Sequence, residues 1–200
     1  MTGANASSIV LGSSSPRRLQ LLRQVLIEPS SIEVPDVDES VWRNEQPRRY
    51  AERMARAKLS AIQQRCPSAD YILAADTVVA CGRRILGKAE TELEARASLQ
   101  LLSGRRHRVY GGVAVASGER SVSRVVITQV GIRRLSDADI DFYIDSGEWR
   151  GKAGGYAIQG LAAAFVAMIA GSYTNVVGLP LVETLQLLGG LGWARSQVNL

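Results

Sequence analysis

The run YILAADTVVA, residues 71–80, constrains the fold of this chain more than any other segment. It is apolar at nearly every position, whereas a strand with one solvent-exposed face alternates apolar and polar residues. The run therefore predicts a strand buried inside a sheet. One charge, Asp76, interrupts it.

The segments around this strand alternate between strand and helix patterns. Further strands are predicted at residues 8–12, 32–37, 109–116, 121–133 and 162–169, and helices at 16–27, 46–65, 91–102, 136–147 and 180–188. Residues 109–133 are typical of a hairpin, residues 151–160 of a glycine-rich loop, and residues 171–175 of a polar turn. This order predicts an α/β fold in one domain over residues 1–200, with a mixed twisted sheet, flanking helices and two lobes.

Composition excludes several classes of protein. The longest apolar stretch, residues 161–170, is too short to cross a bilayer, which takes about 20 residues, and no secretory signal begins the chain. We therefore expect no membrane association and a cytoplasmic location. The net charge of +5 comes from scattered arginines, a pattern that does not indicate nucleic-acid binding.

Lysine is rare in this chain. Of 24 basic residues only Lys58, Lys88 and Lys152 are lysines. In an arginine-rich chain the remaining lysines can mark sites that need a compact ammonium group. Chance in a biased composition explains the count equally well.

The segment SSSPRR, residues 13–18, follows the first predicted strand and begins a helix. Ser15 suits the N-cap and Pro16 the first helical position, while Arg17 and Arg18 lie where the helix dipole disfavours cations. A bound phosphate would relieve that conflict, and the serine hydroxyls, Ser13 among them, would face it. An ordinary capped helix with solvated arginines is the alternative.

Two acidic features are candidates for catalysis or metal binding. Asp76 is costly inside an apolar strand unless it is paired or binds a cation, although it could instead cap a turn after Ala75. The cluster Asp36, Asp38 and Glu39 could hold a hard cation or be a solvated loop. Lys58, on the predicted helix 46–65, borders the buried face and either projects into a cleft or extends to solvent.

The histidine content excludes another class of site. His107 is the only histidine, so clusters of histidine metal ligands are excluded. Its position at the start of a predicted strand favours a structural role.

Taken together, these segments resemble the Maf family of nucleotide pyrophosphatases. The matching segments are SSSPRR (13–18), DVDES (36–40), ARAK (55–58), AADT (74–77), LGK (86–88), LSGRRH (102–107), GKAGGYAIQG (151–160) and SYTNVVGLP (172–180). They occur in the family's order along nearly the whole chain. The resemblance implies a Maf/ITPase-like fold with an active site in a central cleft, hydrolysis between the α- and β-phosphates, and a homodimer.

The resemblance also assigns roles to residues. Asp76 matches the family's proton acceptor, and Arg17, Lys58, Lys88 and Glu39 match its phosphate- and metal-binding positions, the metal being Mg²⁺ or Mn²⁺. We expect Glu39 and Asp76 to hold the metal. The substrate-binding set is then Ser13, Ser15, Arg17, Arg18, Lys58, Thr77, Lys88 and Gln159.

Three positions separate the subgroups of the family. Arg17, Thr77 and Gln159 are similar to those of the dTTP/UTP pyrophosphatases, whereas the subgroup that acts on 7-methyl-GTP carries Trp, Gln and Glu there. The resemblance thus implies a nucleoside triphosphate substrate, dTTP or UTP. The alternatives are the same chemistry on another or modified nucleotide, and a non-catalytic nucleotide-binding regulator of cell division.

Overall fold

The computed structural model describes residues 8–194. The strands are β1 (Ile9–Gly12), β2 (Ser31–Glu33), β3 (Tyr71–Cys81), β4 (Arg84–Leu86), β5 (Arg106–Ser117), β6 (Arg120–Ile132) and β7 (Val166–Ala170). The helices are α1 (Pro16–Gln24), α2 (Pro47–Arg65), α3 (Glu92–Leu102), α4 (Asp137–Asp145), α5 (Tyr173–Val177) and α6 (Leu181–Gly190). None of the helices in this part of the chain is long and apolar enough to span a membrane.

All seven strands belong to one mixed sheet, which confirms the predicted α/β class. The order is β2-β1-β3-β5-β6-β7, with β4 paired to β3. β1 runs parallel to β2 and β3, whereas β3, β5, β6 and β7 are successively antiparallel. The sheet is mixed because two kinds of connection occur in it. Helices α1 and α2 connect the parallel strands β1, β2 and β3, whereas β5 and β6 form an antiparallel hairpin.

Helices cover both faces of the sheet. One face packs against α2, through Ala55, Leu59 and Ile62. The other face carries the larger core, to which α1, α3, α4 and α6 contribute. The strand β3 is apolar on both faces because it is covered on both, as its sequence predicts.

A glycine allows α2 to approach the sheet closely. Gly112 of β5 lies opposite Asp76 of β3, and any side chain at Gly112 would collide with the backbone carbonyl of Ala51 in α2. Close packing at this point brings the next turns of α2 over the middle of β3. The helix thus carries Lys58 to the only charged residue of that strand.

One edge of β3 is interrupted. β1 pairs with β3 as far as Ala74, and β4 pairs with it again from Val79. Between these points, within residues 8–194, no strand pairs with residues 75–78 on that edge. The β1–β2 pair and β4 therefore stand on either side of a gap, and this gap separates the two lobes.

The structure corrects several predicted elements. The segment 162–169, predicted as a strand, begins as a 3-10 helix, Leu161–Phe165, and only then becomes β7. Its apolar residues lack the alternation that would favour a strand, and a tight turn from Gly160 starts the helix. The predicted turn 171–175 contains the start of α5, because the Ser172 hydroxyl caps the amide of Asn175.

Two further differences concern shorter stretches. β4 has only three residues and corresponds to none of the predicted strands. Helix α1 ends at Gln24 rather than near Ile27, because Leu26 adopts a left-handed backbone conformation with φ 61°. The N- and C-terminal ends of the predicted single domain lie outside the described residues.

Candidate active site

The gap beside β3 opens into a cleft of about 340 Å³. It lies at the carboxyl end of β1, where ligands collect in open α/β sheets. All ten residues predicted from the sequence line it: Ser13, Ser15, Arg17, Arg18, Glu39, Lys58, Asp76, Thr77, Lys88 and Gln159. The cleft is also lined by residues outside the predicted set, among them Tyr156, Val177 and Gly178, and by Lys152, one of the three rare lysines.

Four charged residues form one side of the cleft, here called the carboxylate wall: Glu39, Lys58, Asp76 and Lys88. The Lys58 ammonium lies 2.6 Å from Asp76 Oδ1 and 2.7 Å from Glu39 Oε1. Lys88 binds the other oxygen of Glu39 at 3.0 Å. Lys58 is therefore paired and buried, and it does not extend to solvent.

Strand geometry explains why the wall is built at this point. Successive residues of a strand face opposite sides of a sheet, so Asp76 faces α2 and Lys58 while Thr77 faces the other way. β3 continues to Cys81, which excludes the alternative that Asp76 caps a turn. Glu39 lies in the segment after β2, where its backbone carbonyl accepts a hydrogen bond from Tyr50 of α2 at 2.7 Å.

Pairing controls the charge of Glu39. Burial alone would raise the pKa of this carboxyl group, but hydrogen bonds from Lys58 and Lys88 outweigh burial and hold the pKa at about 2. Burial, followed by the nearby charges of Asp76 and Glu39, raises the pKa of Tyr50 to about 12. At neutral pH the wall thus contains an ionised Glu39 beside a protonated Tyr50.

One oxygen of Asp76 remains available to a ligand. Oδ1 is bound to Lys58. Oδ2 has no hydrogen-bond partner among the described residues, and it is not one of the buried unpaired atoms. Oδ2 therefore reaches the cleft as a free acceptor.

The serine-rich segment lies across the cleft from this wall. Ser15 is the N-cap of α1, but its hydroxyl makes no capping hydrogen bond. Arg18 is fixed by three acceptors: the Gly178 carbonyl at 2.9 Å, the Ser13 hydroxyl at 2.9 Å and the Thr77 hydroxyl at 3.2 Å. Arg18 thus contributes charge to the cleft while its hydrogen bonds go to the protein.

Arg17 and Lys152 provide the less committed positive charge. Arg17 Nε donates to the Val177 carbonyl at 3.3 Å, and Lys152 donates to the Arg150 carbonyl at 3.1 Å. Neither has a carboxylate within ion-pair distance among residues 8–194. Burial, and then the charge of Arg17, lower the pKa of Lys152. A neighbouring positive charge and no ion-paired carboxylate among residues 8–194 leave room at Lys152 for an anionic ligand.

The carbonyls of Val177 and Gly178 explain how two arginines are tolerated at the start of α1. They accept from Arg17 and Arg18, and the Thr77 hydroxyl also lies 3.3 Å from the Gly178 carbonyl. The sequence suggested that a phosphate relieves the conflict with the helix dipole, but backbone acceptors 160 residues away already do so in part. No sequence motif signals a backbone acceptor.

The glycine loop, residues 151–160, forms the remaining side of the cleft. Gly154 and Gly155 adopt left-handed backbone conformations, with φ angles of 71° and 69°. Gly154 lies close to Val79, and Gly155 lies close to α3. Gln159 is exposed at the rim, and its amide makes no hydrogen bond within the described chain. A free amide that lines a cleft can both donate to a ligand and accept from it.

The acidic cluster of the sequence divides in the structure. Glu39 joins the carboxylate wall, whereas Asp38 binds the amide and hydroxyl of Ser40 at 2.9 Å and Asp36 is exposed. Within residues 8–194 no group of three or more potential protein ligands surrounds a metal position. Glu39 and Asp76 remain, with oxygens within 2.7 Å of one ammonium nitrogen. Two such carboxylates suit Mg²⁺, which commonly takes its other ligands from water and substrate phosphates.

A second cavity of about 530 Å³ adjoins the same wall. It shares Glu39, Asp76, Thr77 and Lys88 with the first and continues toward Trp42 and Tyr50. The carboxylate wall is therefore open to ligands from two sides.

Comparisons with known proteins identify the family of this chain. A family model described as Maf-like protein matches residues 8–191. A protein of Caulobacter vibrioides named dTTP/UTP pyrophosphatase is 54% identical, over 95% of this chain and 98% of that protein. A protein of the same name from Paramagnetospirillum magneticum is 57% identical, over 93% and 98%. Among solved structures, a HAM1 protein from Coxiella burnetii aligns over 92% of this chain and 98% of that one, with 18% identity and a TM-score of 0.49.

Proposed function

The chain belongs to the Maf-like protein family, and we propose that it hydrolyses dTTP and UTP to the nucleoside monophosphate and pyrophosphate. The observation that carries this proposal is the cleft itself. A buried carboxylate with one free oxygen, Asp76, faces a region where Arg17 and Lys152 have no carboxylate of residues 8–194 within ion-pair distance. Relatives that are more than half identical to this chain over nearly their whole length are named for the same reaction.

The triphosphate would lie between the serine-rich segment and the carboxylate wall. Ser13, Ser15, Arg17 and Lys152 would bind its oxygens, and Lys58 and Lys88 would approach from the wall. Charge-assisted hydrogen bonds to phosphate are about twice as strong as neutral ones. Arg18, which is already bound to three acceptors, would act mainly through its charge and by fixing Ser13 and Thr77.

Asp76 would act as the proton acceptor. Its Oδ2 takes a proton from water, the water oxygen forms a bond to the α-phosphorus, and the bond from that phosphorus to the bridging oxygen breaks to release pyrophosphate. Lys58 holds Oδ1 and thereby orients Oδ2 toward the cleft. A divalent cation, Mg²⁺ or Mn²⁺, held by Glu39 and Asp76 would neutralise charge on the phosphate oxygens.

Gln159 would select the base. Uracil and thymine present a ring N–H between two carbonyls, so one carboxamide can donate to a carbonyl and accept from the N–H. Cytosine presents an amino group and an unprotonated nitrogen instead. Sites that read hydrogen bonds reject such mismatches strongly, so CTP should be a poor substrate.

A pyrophosphate-release assay tests this proposal. We expect dTTP and UTP to have comparable kcat/KM, to exceed CTP, ATP and GTP, and to lose turnover in EDTA until Mg²⁺ or Mn²⁺ is restored. A best substrate among CTP and the purine triphosphates would overturn the base assignment. Pyrophosphate release that EDTA leaves unchanged would overturn the metal assignment, and no release from any of the five would overturn the enzyme.

Three further properties stay predictions from the sequence: a single domain over residues 1–200, a homodimer and a cytoplasmic location. We propose the homodimer on the resemblance alone. Light scattering of the purified full-length protein would test it, and a mass of one chain would contradict it.

A further inference from the structure

His107 is a buried polar residue that the mechanism does not use. It lies on β5, where only 2% of its surface is exposed. Its Nε2 is 2.7 Å from the Tyr156 hydroxyl, and the two rings meet edge to face at 5.4 Å between centroids. Its Nδ1 is buried and has no hydrogen-bond partner among residues 8–194. A half-satisfied imidazole is a costly core residue, and in the described part of the chain its one side-chain hydrogen bond is to Tyr156.

Tyr156 belongs to the glycine loop. Its ring is buried, and it lines the cleft. The next residue is held by a second phenol, because the Ala157 amide donates to the Tyr143 hydroxyl at 3.0 Å. Two hydroxyl contacts therefore fix consecutive residues of the loop, one from the sheet and one from α4.

Gln159 follows three residues later without a hydrogen bond of its own in the described chain. The position of Gln159 relative to a bound base therefore depends on the contacts that hold Tyr156 and Ala157 in place. Burial lowers the pKa of His107 to about 4. The imidazole is thus neutral at pH 7, and its contact with Tyr156 is an ordinary hydrogen bond between neutral groups.

We propose that His107 is a positioning residue that sets base selectivity through Tyr156 and Gln159. This inference rests on the proposed function, since it concerns how that same cleft reads a pyrimidine. His107 does not line the cleft and contacts neither the carboxylate wall nor the serine-rich segment through any hydrogen bond of the described residues. Its loss should therefore affect KM and base discrimination, with the chemical step preserved.

The test uses three variants of the full chain. His107→Phe and Tyr156→Phe each remove the hydrogen bond and keep a ring, whereas His107→Gln retains a group that can bond to the hydroxyl. We expect both Phe variants to raise KM for UTP and dTTP by ~3- to 10-fold, the equivalent of one neutral hydrogen bond. The preference for UTP over CTP should fall, kcat should stay within about twofold of wild type, and His107→Gln should recover much of the loss. The double Phe variant should be no worse than the poorer single variant.

Thr184→Val is the matched control. It removes another buried hydrogen bond, from the Thr184 hydroxyl to the Pro180 carbonyl at 2.8 Å, without touching the glycine loop. It should lower Tm and leave KM and the UTP preference unchanged. If His107→Phe and Tyr156→Phe behave like this control, the positioning role is overturned. Tyr156→Phe keeps the ring in place, so it decides the matter if His107→Phe does not fold.

The same assay separates this inference from the proposed function. A wild type that hydrolyses neither dTTP nor UTP overturns the proposed function. The positioning role is then judged by KM for the triphosphate that the wild type hydrolyses best. A wild type that turns over none overturns both.

Discussion

The carboxylate wall and the glycine loop form two sides of one cleft but are held by different forces. In the wall, charged groups hold one another, with the buried Lys58 bound to both Asp76 and the partly exposed Glu39. In the loop, neutral hydroxyls, backbone amides and left-handed glycines fix the chain. Removing one partner of a buried ion pair leaves an uncompensated charge, whereas a neutral hydrogen bond contributes only about 1 kcal/mol net.

This difference suggests that chemistry and selectivity are separable in this protein. Changes in the wall should reduce turnover or stability sharply. Changes in the loop should leave a folded enzyme that distinguishes its substrates less well.

The largest effect is expected from Asp76→Asn. The amide cannot accept a proton and binds a cation poorly, so kcat should fall by ~10²- to 10⁴-fold, the range of general-base catalysis. Circular dichroism should show a retained fold. Asp70→Asn, at an exposed acid just before β3, is the control and should keep its turnover. A folded Asp76→Asn protein of near wild-type activity would show that Asp76 is not the general base.

Lys58→Met should have the largest effect on stability. It leaves Asp76 and Glu39 facing each other without their shared cation, at a cost of about 2–3 kcal/mol in the free energy of unfolding, less than for a fully enclosed pair because the cleft admits water. Lys88→Met removes a half-exposed partner of Glu39, and it should cost under about 1 kcal/mol. Urea denaturation of both variants measures the difference, and equal costs would contradict the buried pairing.

Gln159→Glu addresses the loop. The carboxylate places an acceptor against a carbonyl, so kcat/KM for dTTP and UTP should both fall, by about 10-fold, the cost of one unpaired polar group. The free energy of unfolding should not change, since Gln159 is exposed. Gln20→Glu adds the same charge on the outer face of α1 and should have no effect. Undiminished kcat/KM for both substrates in Gln159→Glu would remove Gln159 from base recognition.

A last prediction concerns acid stability, because His107, which anchors the loop, and Glu39 of the wall should lose their contributions to the free energy of unfolding at different pH. Burial depresses the pKa of His107 from 6.5 to about 4, so the stability linked to its neutral form is present above pH 6.5 and is lost as pH falls toward 4. The pKa of Glu39 is depressed from 4.5 to about 2, so its contribution is lost only between these values.

Unfolding free energies measured from pH 7 to pH 2 test this order. The pH dependence of His107→Phe should be flatter than that of wild type between pH 6.5 and 4, and that of Glu39→Gln between pH 4.5 and 2. The same pH window for both variants would contradict the assignment of the two groups.

The comparison also shows how far the sequence predicts this structure. Helix α2 and strand β3 follow from strong local patterns: the helix predicted at 46–65 begins one residue later, at Pro47, and β3 is a nearly continuous apolar run. The 3-10 helix Leu161–Phe165 and the short strand β4 carry no such pattern, because tertiary contacts determine them. Local sequence therefore predicts long elements better than the short ones that complete the lobes.

The site divides in the same way. The sequence draws attention to Asp76 as a charge in an apolar strand and to Lys58 and Lys88 as rare lysines, and the resemblance to the Maf family assigns roles to them and to Glu39. The anchor between His107 and Tyr156 joins residues 49 positions apart, and the acceptors of Arg17 and Arg18 are backbone carbonyls. Neither feature has a local signal, so only the fold reveals them.

The unpaired stretch of β3 sets the length of the gap between β1 and β4. Residues 75–78 span about 13 Å at roughly 3.3 Å per residue, and the pairing of β1 and β4 fixes both ends of that length. Side-chain replacements alter the chemistry inside this gap, but the backbone sets its length. Only an insertion or deletion that shifts the register of β4 against β1 would change that length. Among members of the family, the reach of the substrate along this edge should therefore vary with strand register rather than with the identity of the catalytic residues.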